Sequence, residues 1–209
     1  TKESDMKIYL CRHGETDWNK ANRIQGNVNI PLNDEGIRLA QLTKDGFDKE
    51  HLHFDKVYSS TLDRAIQTAT ILCGHHDIIQ DSRISEIDFG DYEGLPVPMS
   101  PPQKDDALYN LYCCFNDPAS YIPKGKGESY KQVLQRAKSF LETEIVQNNT
   151  NEECILIAAH GGIIRALLGL IEKDELHQFW SVSQPNLSVN ILEYQHNEIQ
   201  ILEIAKLYY

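Results

Sequence analysis

An α/β fold, a three-layer sandwich with helices on both faces of a mostly parallel sheet, is predicted by three features of this sequence. Short apolar runs alternate with segments of helical period. The run Cys154 to Ala159 is apolar throughout, as expected for a central strand of a parallel sheet covered on both faces. Two of the runs end on a histidine followed by glycine, in Arg12-His13-Gly14 and His160-Gly161-Gly162. A glycine at such a place lets the chain leave the strand sharply.

Bulk properties narrow the function classes. The chain of 209 residues is long enough for one substantial core, so a single domain over 1–209 is expected, with an irregular lid insertion at about 95–127. Lys plus Arg total 20 against 31 Asp plus Glu, a formal charge of −11. That excess of acid argues against nucleic acid or an anionic membrane as partner. Any anion site must be local, since charges elsewhere are screened over roughly 8 Å. No apolar run approaches the ~20 residues needed to cross a bilayer, and the polar start Thr1 to Asp5 has no signal-peptide core. Five cysteines, at 11, 73, 113, 114 and 154, form no metal-type spacing and suit a reducing compartment. A cytoplasmic location follows as the expectation.

In chain order, Lys7 to Cys11 reads as a strand and Arg12 to Pro31 as a polar loop. Asn33 and Asp34 can cap a helix to about Phe47, and Phe54 to Tyr58 reads as a strand. Ser59-Ser60-Thr61 is expected to cap a helix with the apolar stripe Leu62, Ala65, Ile66, Ala69, Leu72 and Cys73. Arg64 then falls on that helix's first turn, where anions are favoured and a cation opposes the dipole. Asp77 to Ile84 reads as a strand, followed by the acidic stretch Ser85 to Gly94. Leu95 to Gly127 holds six of the eight prolines and the aromatics Tyr109, Tyr112, Phe115 and Tyr121, the marks of a lid. Most of these aromatics are expected to pack the lid onto the body, the other reading being contact with an organic leaving group that has some apolar surface. Glu128 to about Val146 is the clearest helix, ended by the polar stretch Asn148 to Glu153. Ile163 to Ile171 reads as an apolar helix, and Ser188 to Tyr194 and Ile199 to Ile204 as closing strands around a turn at His196-Asn197.

Three strand ends thus deliver reactive groups: Arg12 with His13, Arg64 just past Ser59, and His160. In open α/β sheets sites form at the carboxyl ends of the strands. Arginine offers planar donors suited to phosphate or carboxylate, and imidazole can serve as nucleophile or base. In an ideal strand Arg12 and His13 would face opposite ways, so both reach one anion only if the chain leaves the strand there. The remaining histidines, His51, His53, His75, His76, His177 and His196, lie in polar or turn-like settings and are expected to be solvated. The acids Asp88 and Asp91 lack the regular spacing of a cation loop, so no metal site is expected.

The ordered set Arg12-His13-Gly14-Glu15-Thr16-x-x-Asn19, Gln25-Gly26, Ser59-Ser60-x-x-x-Arg64, Glu86-x-x-x-Gly90-x-x-Glu93-Gly94, Gly127-Glu128-Ser129 and His160-Gly161-Gly162 resembles the histidine phosphatase superfamily, or phosphoglycerate mutase-like family. The resemblance spans nearly the whole chain. It implies phosphoryl transfer through a phosphohistidine, with His13 as nucleophile and Arg12, Arg64 and His160 binding the phosphoryl group. It further implies Glu86 as proton donor, and Asn19, Gln25, Gly26 and the backbone near Gly161 as holding phosphate or leaving group. Two nearby arginines would lower the His13 pKa, and Glu15 and Glu93 near Glu86 would favour its protonated form. No metal and no cofactor are implied.

Mutases of this family resemble the chain in its core but carry an arginine pair in a longer insertion. Leu95 to Gly127 contains no arginine, and Lys104, Lys124 and Lys126 are poor substitutes for a bidentate clamp. Hydrolysis of a small-molecule phosphomonoester is therefore expected, with mutase activity as the first alternative and a non-catalytic phosphate-binding module as the second. A homodimer is compatible with the sequence, and nothing in it selects the substrate.

Overall fold

A computed structural model describes residues 5–74, 77–148, 154–174 and 176–209. The readings placed on Thr1 to Ser4, His75, His76 and the stretch 149–153 lie outside the described residues. Strand β1 (Met6–Arg12) is followed by a short helix α1 (Asp17–Lys20), then α2 (Asp34–Lys49), β2 (Lys56–Ser59), α3 (Asp63–Cys73) and β3 (Ile78–Gln80). Helices α4 (Tyr109–Asn116) and α5 (Tyr130–Phe140) precede β4 (Cys154–Ala159), and α6 (Gly161–Glu172), β5 (Val189–Gln195) and β6 (Glu198–Lys206) complete the order.

The sheet runs β3-β2-β4-β1-β5-β6. Its first four strands are parallel, and β5 and β6 are added antiparallel. The two-residue period of β1 decides which layer each side chain enters. Ile8 and Leu10 join Ile155 and Ile157 of β4 in one buried cluster with α5 and α6, while Tyr9 and Cys11 join Leu156 and Ala158 in a second with α2 and α3. Two cores on opposite faces of one sheet make the predicted α/β/α layering. Each fully buried Ile or Leu contributes about 1.5–3 kcal/mol.

Several elements differ from the sequence reading. The strand expected over Asp77 to Ile84 stops at Gln80, because Asp81 accepts from the Arg83 N–H and turns Ser82–Ile84 into a 3₁₀ turn. The cap of α3 is Leu62, which has no capping side chain. Ser60 Oγ instead accepts from the Leu62 N–H at 3.2 Å, one turn earlier than a cap would. The polar loop Arg12 to Pro31 contains α1, capped reciprocally by Thr16 and Asn19. Residues 95–127 are not wholly irregular: α4 lies among the prolines and buries Leu111, Cys113 and Cys114. Helix α5 starts on a Ser129 and Gln132 capping box and widens into a π-helical stretch over Leu141–Gln147. All five cysteines are free thiols, and His51, His53, His177 and His196 are exposed as expected. No helix among the described residues is long and apolar enough to cross a membrane.

The register brings the reactive strand ends to one edge. Arg12 pairs with Ala159 and Ser59 with Ala158, so His13, Ser60 and His160 follow three adjacent parallel strands at their carboxyl ends.

Candidate active site

Where β1 ends, the His13 N–H still donates to the Ala159 carbonyl, which fixes the chain at the point of departure. The His13 ring is 2% exposed, and its Nδ1 lies 2.7 Å from the Gly14 carbonyl. A carbonyl only accepts, so Nδ1 carries the proton and the Nε2 lone pair is free. His160, at the end of β4, is fully buried with its ring centroid 5.1 Å from that of His13. Its Nε2 is 2.6 Å from Ser60 Oγ, which already accepts from the Leu62 N–H. The hydroxyl hydrogen is therefore free to be donated to Nε2, which leaves Nδ1 of His160 as an N–H donor.

The two arginines are held by backbone carbonyls rather than by acids. Arg64 has no exposed surface, and its Nη1 and Nη2 donate to the Val28 and Gly26 carbonyls at 2.6 and 2.7 Å. Arg12 Nη1 donates to the Gln184 carbonyl at 2.5 Å. Burial lowers the pKa of both arginines, Arg64 to about 10, with Glu86 opposing and the neighbouring Arg12 adding to the fall at Arg64. Burial is also the leading cause that holds His13 and His160 well below the usual imidazole range, followed by Arg64 and then, among others, Arg12. Both rings are thus neutral beside two desolvated cations.

Among the described residues, four buried side-chain polar atoms have no hydrogen-bond partner, and three of them are Arg12 Nε, Arg64 Nε and His160 Nδ1. Buried polar atoms are nearly always satisfied, so three unpaired ones on neighbouring residues give this site spare capacity to bind an anion. Arg12, His13, Asn19, Gln25, Gly26, Arg64 and Glu86 line one cavity of about 160 Å³ that is open to solvent. His160 and Gly161 do not line it. Gly161 instead gives its carbonyl to Arg165 Nη1 at 2.9 Å, and His160 packs directly against the His13 ring, which lines the cavity.

Glu86 comes from the loop after the 3₁₀ turn. Its Oε2 accepts from the Gly162 N–H and its Oε1 from the Ile163 and Ile87 N–H groups, at 2.9 to 3.1 Å. A Cβ on Gly162 would stand 2.5 Å from Glu86 Oε1, so only glycine admits this approach. The acids expected to crowd Glu86 are engaged elsewhere. Glu15 accepts from Asn33, and Glu93 accepts from the Asn27 and Phe89 N–H groups. Glu93 fastens the Gln25-Gly26 turn, where Gly26 sits at a φ of +52° and a Cβ would overlap the Glu93 carboxylate.

Sequence reasoning missed several parts of this site. Gln25 Oε1 accepts from Thr16 Oγ1 at 2.6 Å, and Asn19 Oδ1 accepts from Asn186 Nδ2 at 3.2 Å, so both amides are braced as well as lining. Thr68 of α3 links the loop to the arginine helix, accepting from the Gly14 N–H and donating to the Arg64 carbonyl. Asn22 and Arg23 stand exposed at the mouth, and Phe89, Val97, Phe115 and Trp180 form an apolar wall. Of the four aromatics in 95–127, only Phe115 lines the cavity. No group of three His, Cys, Asp or Glu among the described residues is placed to hold a metal ion.

The sequence profile of the histidine phosphatase superfamily (branch 1) matches residues 8–206. A phosphoserine phosphatase 1 of Hydrogenobacter thermophilus is 30% identical over 201 residues, covering 95% of this chain and 92% of the relative. A metal-independent phosphoserine phosphatase of Arabidopsis thaliana is 34% identical over 169 residues, covering 79% and 68%. The solved structure of Bacillus stearothermophilus YhfR superposes with a TM-score of 0.80 at 30% identity, covering 94% of this chain and 95% of that one.

Proposed function

Because the chain belongs to the histidine phosphatase superfamily, we propose that it hydrolyses a small-molecule phosphate monoester through a phosphohistidine on His13, without a metal. The observation that carries this reading is the set of three orphaned donors beside a neutral, buried imidazole. They supply what a transferring phosphoryl group needs: fixed positive charge and N–H donors in a dry site. The guanidinium charges take the part that magnesium takes in other phosphotransferases.

In the first step His13 Nε2 bonds to phosphorus and the ester P–O bond breaks, the leaving oxygen taking a proton from Glu86. In the second step water attacks the phosphohistidine, the Glu86 carboxylate takes its proton, and the P–N bond breaks to release phosphate. Asn19, Gln25 and Gly26 line the space for phosphate and leaving group. The cavity is open to solvent, so its volume sets no upper limit on the leaving group. Phosphoserine, the substrate in the names of two relatives, is the first ester to test.

Phosphate release is measured with EDTA present, from p-nitrophenyl phosphate, phosphoserine and 3-phosphoglycerate. Turnover of at least one ester is expected, and Glu86→Gln is expected to slow phosphoserine by about 10²–10⁴-fold while slowing the nitrophenyl ester far less, since its leaving group hardly needs a proton. No release from any ester by folded protein sinks the phosphatase reading. Conversion of 3-phosphoglycerate to its isomer without phosphate release would favour the mutase instead.

A further inference from the structure

We infer that Arg136 of α5 is the positioning residue for Glu86, and so sets proton transfer to the leaving group without touching the substrate. The inference rests on Glu86 being the proton donor. Glu86 lies in no strand or helix, and the loop that carries it needs donors for its buried carbonyls. Arg136 supplies them: Nη1 donates to the Arg83 and Ser85 carbonyls at 2.8 and 2.7 Å, and Nη2 to the Glu86 carbonyl at 3.0 Å.

The rest of the guanidinium is anchored on Glu128, with Nε to Oε1 at 2.8 Å and Nη2 to Oε2 at 3.0 Å. All five N–H groups of a guanidinium thereby have partners, so none remains for a ligand. Glu128 closes the frame from the other side. Its Oε2 accepts from the Asp88 N–H at 2.9 Å, and its own N–H donates to the Asp88 carbonyl at 2.7 Å. The motif Gly127-Glu128-Ser129 thus acquires a physical task. Ser129 starts α5, and Glu128 just before it braces both Arg136 and the acid loop.

The carboxylate end of Glu86 is held independently, by the first N–H groups of α6. Arg136 fixes the backbone end, so the acid is located by α5 and α6 together. An error of about 1 Å in a reacting group costs on the order of 10²-fold. Lysine brings only three donors, without the fork, and cannot serve three carbonyls and a carboxylate at once.

The experiment compares wild type, Arg136→Lys, Glu86→Gln and the double variant on phosphoserine and p-nitrophenyl phosphate. Arg136→Lys is expected to lower kcat for phosphoserine about 10–100-fold and to leave KM and the nitrophenyl rate within about 3-fold. The double variant is expected to be no slower on phosphoserine than Glu86→Gln alone, because both act through one group. Equal losses on the two esters, or additive losses in the double variant, overturn the inference. Should Arg136→Lys not fold, Glu128→Gln carries the same comparison, with the same split expected at smaller size and an equal loss on both esters counting against it. Equal losses for Glu86→Gln itself would instead remove the acid, and the inference with it.

Discussion

His13→Ala lowers turnover of every phosphomonoester by about 10⁴-fold or more, and abolishes the acid-labile phosphoryl label that substrate leaves on the wild-type protein. The size follows from the loss of covalent chemistry altogether. With the imidazole gone, water must attack the ester directly, and the remaining donors can only hold it. The same geometry sets the acid limb of the pH profile. Burial and two cations hold His13 well below the imidazole range, so the attacking base stays neutral, and the rate is retained, at pH values well below 6.5. Quenched labelling with a ³²P ester and a kcat/KM profile check both parts. A label that survives in His13→Ala, or a wild-type rate that falls away already at pH 6.5 from loss of the base, contradicts the assignment.

Arg64→Met lowers kcat/KM by about 10³-fold, and it removes the rise in melting temperature that inorganic phosphate gives the wild type. The guanidinium has no exposed surface and, among the described residues, no carboxylate within hydrogen-bonding distance, yet its Nε has no partner there. Without a ligand two effects oppose each other. Removing the side chain orphans the Gly26 carbonyl, at about 1–3 kcal/mol, while the Val28 carbonyl keeps the Ile30 N–H. It also removes a desolvated cation that stands beside Arg12, which relieves the fold. The net change in ligand-free stability is therefore expected to stay within about 2 kcal/mol. Wild type gains RT ln(1 + [L]/Kd) from bound phosphate, and the variant gains nothing measurable. Thermal melts with and without phosphate decide the matter: a phosphate shift equal to wild type would place the anion elsewhere.

How much of this was legible before the fold was known depends on whether the signal was local. The β4 run, the helix expected over Glu128 to Val146 and the two histidine-glycine turns are short-range patterns, and they placed the layers and the sheet edge where His13 and His160 meet. Arg64 was legible as a cation at an anion-favouring place, but its complete burial was not. That burial depends on Gly26 and Val28, nearly forty positions earlier, whose carbonyls reach it only after the loop closes. Gln184 left no signal, and Ser60 was legible as a cap but not as the partner of His160, for a similar reason: one acts through a backbone carbonyl, the other through its distance from an imidazole a hundred residues away. The strand expected over Asp77 to Ile84 is overlong because its stop is a side-chain contact. The Asp81-Arg83 pair that breaks it looks in sequence like any exposed pair of charges.

The two neutral histidines, 5.1 Å apart beneath the arginines, also make the folded state a poor acceptor of protons. Once unfolded, each ring regains a pKa near 6.5. Between that value and the much lower folded ones, the unfolded chain binds protons that the native chain refuses, so acid draws the equilibrium toward unfolding. The contribution is complete above about pH 6.5 and drains away below it, at up to about 2.7 kcal/mol per pH unit for the pair. Urea titrations from pH 7.5 to 5 should show a falling midpoint, and replacing His160 with asparagine should roughly halve the histidine share of that slope. A slope unchanged by the replacement would mean that the ring is protonated in the native state. The burial that keeps the His13 imidazole neutral in acid is thus also what draws stability away as the pH falls.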